Sequence, residues 1–461
     1  MTDSYARDDG GDIESVLGSY AADLSLDDVP SPVREKASLV VLDTVGVCLR
    51  GSSTDYVCDA VDAARKVGFA GADGDATVFA NGTRSTPAFA ALVNAAGGTT
   101  LELDEGNQRS AHMGIHVVPP ALATAEHAGA SGEELLAAVV AGYEVGARIG
   151  DVIRPMKAGL HPHGSWSPIA GAVAVGRLLG FDGEEMATAI RIAANPFVAA
   201  TWNAAFEGAT VRNFYTGIGV EHGIRAATLA EAGVTGVRSA ILRSLLPYTA
   251  DGDVADLLRE RVDSLGERYY LTSSYFKMHA ACRYSHAPVE ALEAALDGRD
   301  IGPEAIERIT VRTFESGTWL DETRPANVLA AKFSTPYVLA VRLLLGSTDV
   351  DAFDEPTVSD PRIRSLMDRI EIEGSEAFDR AAADGNWGAA VAVELTDGST
   401  LTGEVEDARG GGDSPFSPAE VRAKFDRLAT GAIGSEADEL RGQLLDLRAV
   451  ENVGTLFDFE R

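Results

Sequence analysis

Lysine is scarce in this 461-residue protein: there are six, Lys36, Lys66, Lys157, Lys277, Lys332 and Lys424, so arginine does nearly all the cationic work. Cysteine is scarcer still. Cys48, Cys58 and Cys282 are odd in number and form no CxxC pair, which excludes a disulfide framework and a zinc module and points to a reducing cytoplasm. No uninterrupted apolar run approaches the ~18 residues a membrane helix needs, and Met1 to Glu14 is acidic and polar where a secretory signal would be basic and then apolar. No P-loop is present. The Gly217-Ile-Gly219 fragment lacks the third glycine and the strand–turn–helix setting of a dinucleotide fingerprint, so nucleotide chemistry is not expected. Positive charge is short overall, 39 basic against 70 acidic residues for a net −31, and such a field repels nucleic acid and anionic membranes alike.

Hydrophobic residues make up 45% of the sequence but aromatics only 7%, and alanine and glycine recur throughout. Small side chains let helices approach closely, and the length is more than one core accommodates, so a large, tightly packed helical domain with a second, smaller one is expected. Ser31 to Arg50 has helical spacing with Pro32 in its first turn. Ser131 to Glu134 and Ser417 to Glu420 read as capping boxes, and Asp182 to Glu185 resembles one. Gly164 to Leu179 and Gly217 to Ala232 are helical by period. Beyond about Lys277 the period changes to two. Ile309 to Phe314 and Arg369 to Glu373 alternate, and Val391 to Thr396 and Thr400 to Val405 flank a hairpin signal at Asp397-Gly398. The expected architecture is mainly α with an α+β part: a helical domain over 1–275, an α+β lid domain over 276–412, and C-terminal helices over 413–461 that return to the helical domain.

Four spaced segments, Glu102 to Glu126, Gly132 to Ile149, Gly159 to Phe181 and Phe276 to Leu292, together resemble the MmgE/PrpD family, with support from 212–236 and 333–346. The resemblance covers roughly Ser31 to Val450. It implies a cofactor-free, metal-free enzyme, usually a homodimer, acting on a small polycarboxylate at a carbon next to a carboxylate. Such chemistry needs a base, an acid and fixed cations for the carboxylates. The resemblance places His112 and His161 as that base and acid, with Asp104 and Glu105, and Glu102 two residues earlier, in the family's acidic patch, there either to orient His112, a role for Glu102 or Asp104, or to cap the next helix. His163 is a partner for His161. Arg212, where the family often has Lys, reads as a bidentate carboxylate clamp, with a surface ion pair as the alternative. Lys277 and Arg283 form a second pair of anion binders. Cys282 is a wall residue or weak acid, and Tyr337 a hydrogen-bond donor at the lid edge or a buried structural tyrosine. His116, four residues after His112 and near Glu102 and Glu105, also has a spacing that fits a metal. In the dehydratase and decarboxylase of the family a threonine follows the acidic patch; here the position is Gly106, which removes a hydroxyl.

The leading expectation is therefore a lyase that dehydrates a 2-methylcitrate-like hydroxy-polycarboxylate. An epimerase, racemase or decarboxylase is the alternative, and a silent dimeric scaffold the alternative of another class. The net charge suggests a surface built for high salt. Because the Debye length shrinks from about 10 Å at 0.1 M to about 3 Å at 1 M, stability and substrate capture should both rise from dilute to molar chloride. Thermal unfolding and kcat/KM measured up to about 3 M potassium chloride test this. A flat melting temperature with best activity in dilute buffer contradicts it.

Overall fold

The computed structural model describes residues 12–459 except 72–73, 155, 158, 196–199 and 413; residues 1–11, most of the acidic N-terminal stretch, lie outside the described residues. The body is helical, and its start signals act as the sequence predicts. Ser131 and Glu134 cap the Gly132–Ile153 helix reciprocally, Asp182 and Glu185 do the same for Gly183–Ala193, and Ser417 and Glu420 for Pro418–Ile433. The Ser31–Gly51 helix carries Pro32 in its first turn, where the missing N–H has no helical partner to lose. Ser31–Gly51, Pro87–Thr100, Gly114–Ala128, Gly132–Ile153, Ser167–Leu178 and Val211–Glu231 share one continuous core of mostly alanine, valine and leucine. Close approach is literal: a Cβ on Gly51 would lie 1.9 Å from the carbonyl oxygen of Gly97 on the neighbouring helix. No helix among the described residues is long and apolar enough to cross a membrane.

The sheet domain has four strands in the order β6-β5-β7-β8, where β5 is Ile306–Thr313, β6 Ile370–Gly374, β7 Ala389–Leu395 and β8 Thr400–Val405. β5 and β6 run parallel, while β7 and β8 close the antiparallel hairpin at Asp397-Gly398, with Gly398 at φ +86°. Helices His286–Leu296 and Thr335–Leu345 cover one face and build a second core with Ile309, Val311, Val391 and Val393. Two short pairs were not legible in the sequence: β1 (Ala76–Val78) with β2 (Thr83–Ser85), and β3 (Gly106–Asn107) with β4 (Ser274–Tyr275). Strands of two or three residues leave no periodicity to read. The β3–β4 pair matters most, because it ties the segment after the Pro87–Thr100 helix to the entry of the sheet domain.

The C-terminal Pro418–Ile433 helix packs Val421, Phe425 and Ala429 into the helical core. It also buries Lys424, whose Nζ lies 2.6 Å from Asp43 Oδ1 and donates to the Leu103 carbonyl at 2.6 Å. Removing one partner of a buried pair strands the other charge, which costs about 3–5 kcal/mol, whereas removing both costs far less. Lys424→Met should therefore lower the urea-unfolding free energy by about that amount, and adding Asp43→Asn to that variant should recover much of it. Additive losses in the double variant would show that the two charges are not coupled.

Candidate active site

The Pro87–Thr100 helix ends in a segment that supplies most of the acidic groups. Glu102 (φ +52°) and Ala111 (φ +69°) both sit in the left-handed region, unfavourable for residues with a Cβ, so the surroundings must enforce the turn. They do so through Asn107. Its backbone exchanges hydrogen bonds with Ala111 in both directions, and its side-chain amide donates to Tyr270 O at 2.8 Å and Tyr143 Oη at 3.1 Å. Lysines hold the other end: Lys332 donates to Leu101 O, Lys277 to Glu102 O and Lys424 to Leu103 O, three consecutive carbonyls on three buried ammonium groups. The Glu102 carboxylate bridges Arg212 Nη2 and Lys277 Nζ, the latter at 3.2 Å. Burial works against its charge, but Arg212 and then Lys277 outweigh it and hold the carboxyl below its ordinary range.

His112 Nδ1 lies 2.9 Å from Asp104 Oδ2 and 3.0 Å from Glu105 O. Two acceptors at one nitrogen place the proton on Nδ1 and leave Nε2 for the pocket that His112 lines. Burial opposes the charge of Asp104 too, yet the facing His112, followed by Lys277 and Arg212, keeps it well below the usual carboxylate range. His161 has the opposite tautomer. Its Nδ1 accepts from His163 N–H at 3.1 Å, so its proton is on Nε2, which has no protein partner among the described residues. Burial, then the charge of Arg212, holds His161 well below its ordinary value, so it is a neutral N–H donor. Behind the two rings, Arg212 Nη2 faces His163 Nε2 at 3.3 Å, and His163 Nδ1 faces His116 Nε2 at 3.2 Å. A guanidinium only donates, so it fixes the direction of this relay, with His163 in turn donating to His116.

These groups open on a cavity of about 230 Å³ that is also lined by Arg154, Lys157, Arg283 and Cys282. Three of the four tryptophans, Trp202, Trp319 and Trp387, form its walls with Phe333, Tyr275 and Tyr284. The cavity thus offers cations for carboxylates, one histidine with a free lone pair and one with a free N–H.

The MmgE/PrpD N-terminal domain model matches residues 15–244 and the MmgE/PrpD C-terminal domain model residues 279–447. The chain belongs to the MmgE/PrpD family. Curated relatives are similar over almost their whole length. Cis-aconitate decarboxylase of Aspergillus terreus is 28% identical, covering 93% of this protein and 91% of the relative. The cis-aconitate decarboxylase-like protein oryM of Aspergillus oryzae is 26% identical over 99% and 98%, and human cis-aconitate decarboxylase 24% over 90% and 87%.

Within this MmgE/PrpD pocket the structure brings together Glu102, His112, His161, Arg212, Cys282 and Arg283. Arg212 is 1% exposed and tied to Glu102, which replaces the surface ion pair by a buried one. Asp104, Lys277 and His163 are buried and touch the lining residues rather than the cavity. Tyr337 is not brought here. It sits in the core of the sheet domain and donates to Ala352 O at 2.9 Å, because its helix faces the strands. Glu105 is also turned away: its carboxyl accepts from Tyr143 Oη and Gly114 N at the start of the Gly114–Ala128 helix, and burial pushes it up to about 8. His112 precedes that helix and His116 lies within it, so they do not share the face that a metal reading requires. Burial raises the Cys282 thiol to about 11, leaving a neutral wall residue. Sequence reasoning missed Tyr275, Arg154 and the tryptophans; the scarcity of aromatics was the available signal.

The neutral histidines dictate an acid limb. Burial, aided by His112, lowers His116 to about 3 from the ordinary 6.5. The folded state therefore binds its proton less tightly than the unfolded state, and stability is full above pH 6.5 and lost as pH falls toward 3. His116→Gln should flatten the fall in unfolding free energy between pH 6 and 4 by about 1.4 kcal/mol per pH unit relative to the parent protein. Equal slopes would mean that His116 carries its charge in the folded protein.

Proposed function

We propose that the protein is a lyase that decarboxylates a small polycarboxylate of the cis-aconitate type. The observation that carries the reading is the meeting of His112, His161 and buried or half-buried arginines in one cavity, and the similarity to cis-aconitate decarboxylases over nine-tenths of the sequence supports it. Arg212, Arg283 and Arg154 bind the substrate carboxylates. The C–CO₂ bond breaks, and its electron pair passes into the adjoining double bond and toward a second carboxylate. The His161 Nε2–H donates to that carboxylate, acting as an electrophile, since a neutral imidazole is too weak an acid to give its proton away. A new C–H bond forms with a proton from His112 Nε2. Asp104 compensates the imidazolium before the transfer, and solvent reaching the cavity restores the proton.

Dehydration of a hydroxy-tricarboxylate is the second reading. The observation that favours it is the resting tautomer of His112, whose free Nε2 is placed to remove a proton instead of delivering one. NMR of a polycarboxylate panel in deuterated water separates the outcomes. Decarboxylation releases CO₂ and leaves one deuterium on carbon, dehydration yields an alkene, and epimerisation washes deuterium into a stereocentre without loss of mass. In the decarboxylation arm His112→Ala should lower kcat roughly 10²–10⁴-fold in a folded variant. Inertness toward the whole panel, or a fully active His112→Ala, would sink the reading.

A further inference from the structure

Gly106 and Tyr275 stand directly opposite each other where β3 pairs with β4. The tyrosine ring lies across the glycine: a Cβ at residue 106 would come within 2.3 Å of Tyr275 Cζ and 2.4 Å of its hydroxyl oxygen. The ring is fixed on its other sides as well. A Cβ on Gly411 would lie 2.7 Å from Tyr275 Cβ, the Arg283 guanidinium sits 4.5 Å from the ring centroid, and Trp387 meets it edge-on at 6.1 Å. Tyr275 is 2% exposed as a whole residue and lines the cavity, and its hydroxyl makes no hydrogen bond to a described residue. The hydroxyl opens on the cavity as a donor without a protein partner, where a ligand atom can complete it. Its neighbour adds a buried unpartnered donor, which is costly unless a ligand meets it. Arg283 donates through both Nη atoms to the carbonyls of Ala408 and Arg409, while its buried Nε has no partner.

We propose that the Tyr275 hydroxyl and Arg283 Nε form a carboxylate subsite of the cavity, distinct from the Arg212 end, and that Gly106 is the specificity-determining position that makes room for it. The subsite rests on the reading of the ligand as a polycarboxylate and adds which groups take one of its carboxylates. A side chain at 106 and the Tyr275 ring compete for one volume, so the protein supplies its hydroxyl from β4 because β3 supplies none. Burial drives the phenol well above its ordinary value, so it stays a donor at every working pH.

Equilibrium binding by calorimetry tests this with two unreactive probes, propane-1,2,3-tricarboxylate and glutarate, which lacks one carboxylate. Tyr275→Phe keeps the ring and removes one oxygen. It should weaken the tricarboxylate roughly tenfold or more, as expected for a hydrogen bond to a charged group, and leave glutarate nearly unchanged. Gly106→Ala should weaken the tricarboxylate comparably by displacing the ring, and should cost nothing further in a Tyr275→Ala background. Unchanged tricarboxylate affinity in Tyr275→Phe overturns the subsite, as does an equal loss for both probes or a parent protein that binds neither. A parent protein that binds the tricarboxylate in a Tyr275-dependent way but turns over no polycarboxylate overturns the decarboxylase reading and leaves the subsite standing.

Discussion

Three buried lysines on three consecutive carbonyls hold the segment that carries Glu102 and leads to His112, and the rest of the candidate site depends on them. The Pro87–Thr100 helix ends with its negative pole and unpaired carbonyls pointing into the interior, and Glu102 then turns left-handed, so Leu101, Glu102 and Leu103 find no ladder to join. Lys332, Lys277 and Lys424 satisfy them, each from a different segment that follows the helical body in sequence. Half of all the lysines are used in this way. A lysine suits the task because a compact ammonium offers three donors at the end of a long stem and can serve a carbonyl and a carboxylate at once. Lys277 does so with Glu102, and Lys424 with Leu103 and Asp43.

That arrangement couples the domains to the chemistry. Lys332 belongs to the helix Val328–Lys332 beside the sheet domain, and Lys277 to the strand-to-turn entry after β4. Through Glu102 their charge reaches Arg212, and through Arg212 the direction of the His163–His116 relay. Burial also tunes the lysines unequally. Lys332 is pushed down to about 7, mainly by burial, so the clamp on Leu101 O is the one most sensitive to pH near neutrality. The cations that balance Glu102 and Asp104 thus lie inside the protein, while the surface is left strongly acidic.

Much of the fold was legible because its signals are local. Ser131, Asp182 and Ser417 announce helices through side chains that bond within three residues, and Asp397-Gly398 announces a hairpin through a backbone angle only glycine adopts freely. The site was legible in part, through His112, His161, Arg212 and Arg283, whose residue types fit proton transfer and carboxylate binding. What stayed hidden depends on distant segments. Nothing around Lys332 or Lys424 reveals that they meet at residues 101–103, which are 231 and 321 positions away in sequence. Nothing around Tyr337 distinguishes a tyrosine facing a cavity from one facing a sheet.

Gly106 shows the same limit from the other side. Read alone, a glycine after Asp104 and Glu105 is a lost hydroxyl, an absence in the acidic patch. Set against Tyr275 it is a permissive position, because the cross-strand pair places an aromatic ring over a residue with no side chain to resist it. The two residues are 169 apart and share a strand pair only two residues long, too short for any pattern to announce. The wall of the cavity is therefore set by a contact between the helical body and the entry of the sheet domain, at the same junction where Lys277 meets Glu102. Whatever moves that junction moves the phenol and the Glu102 charge together, so ligand shape and the balance of buried charge are fixed by one piece of packing.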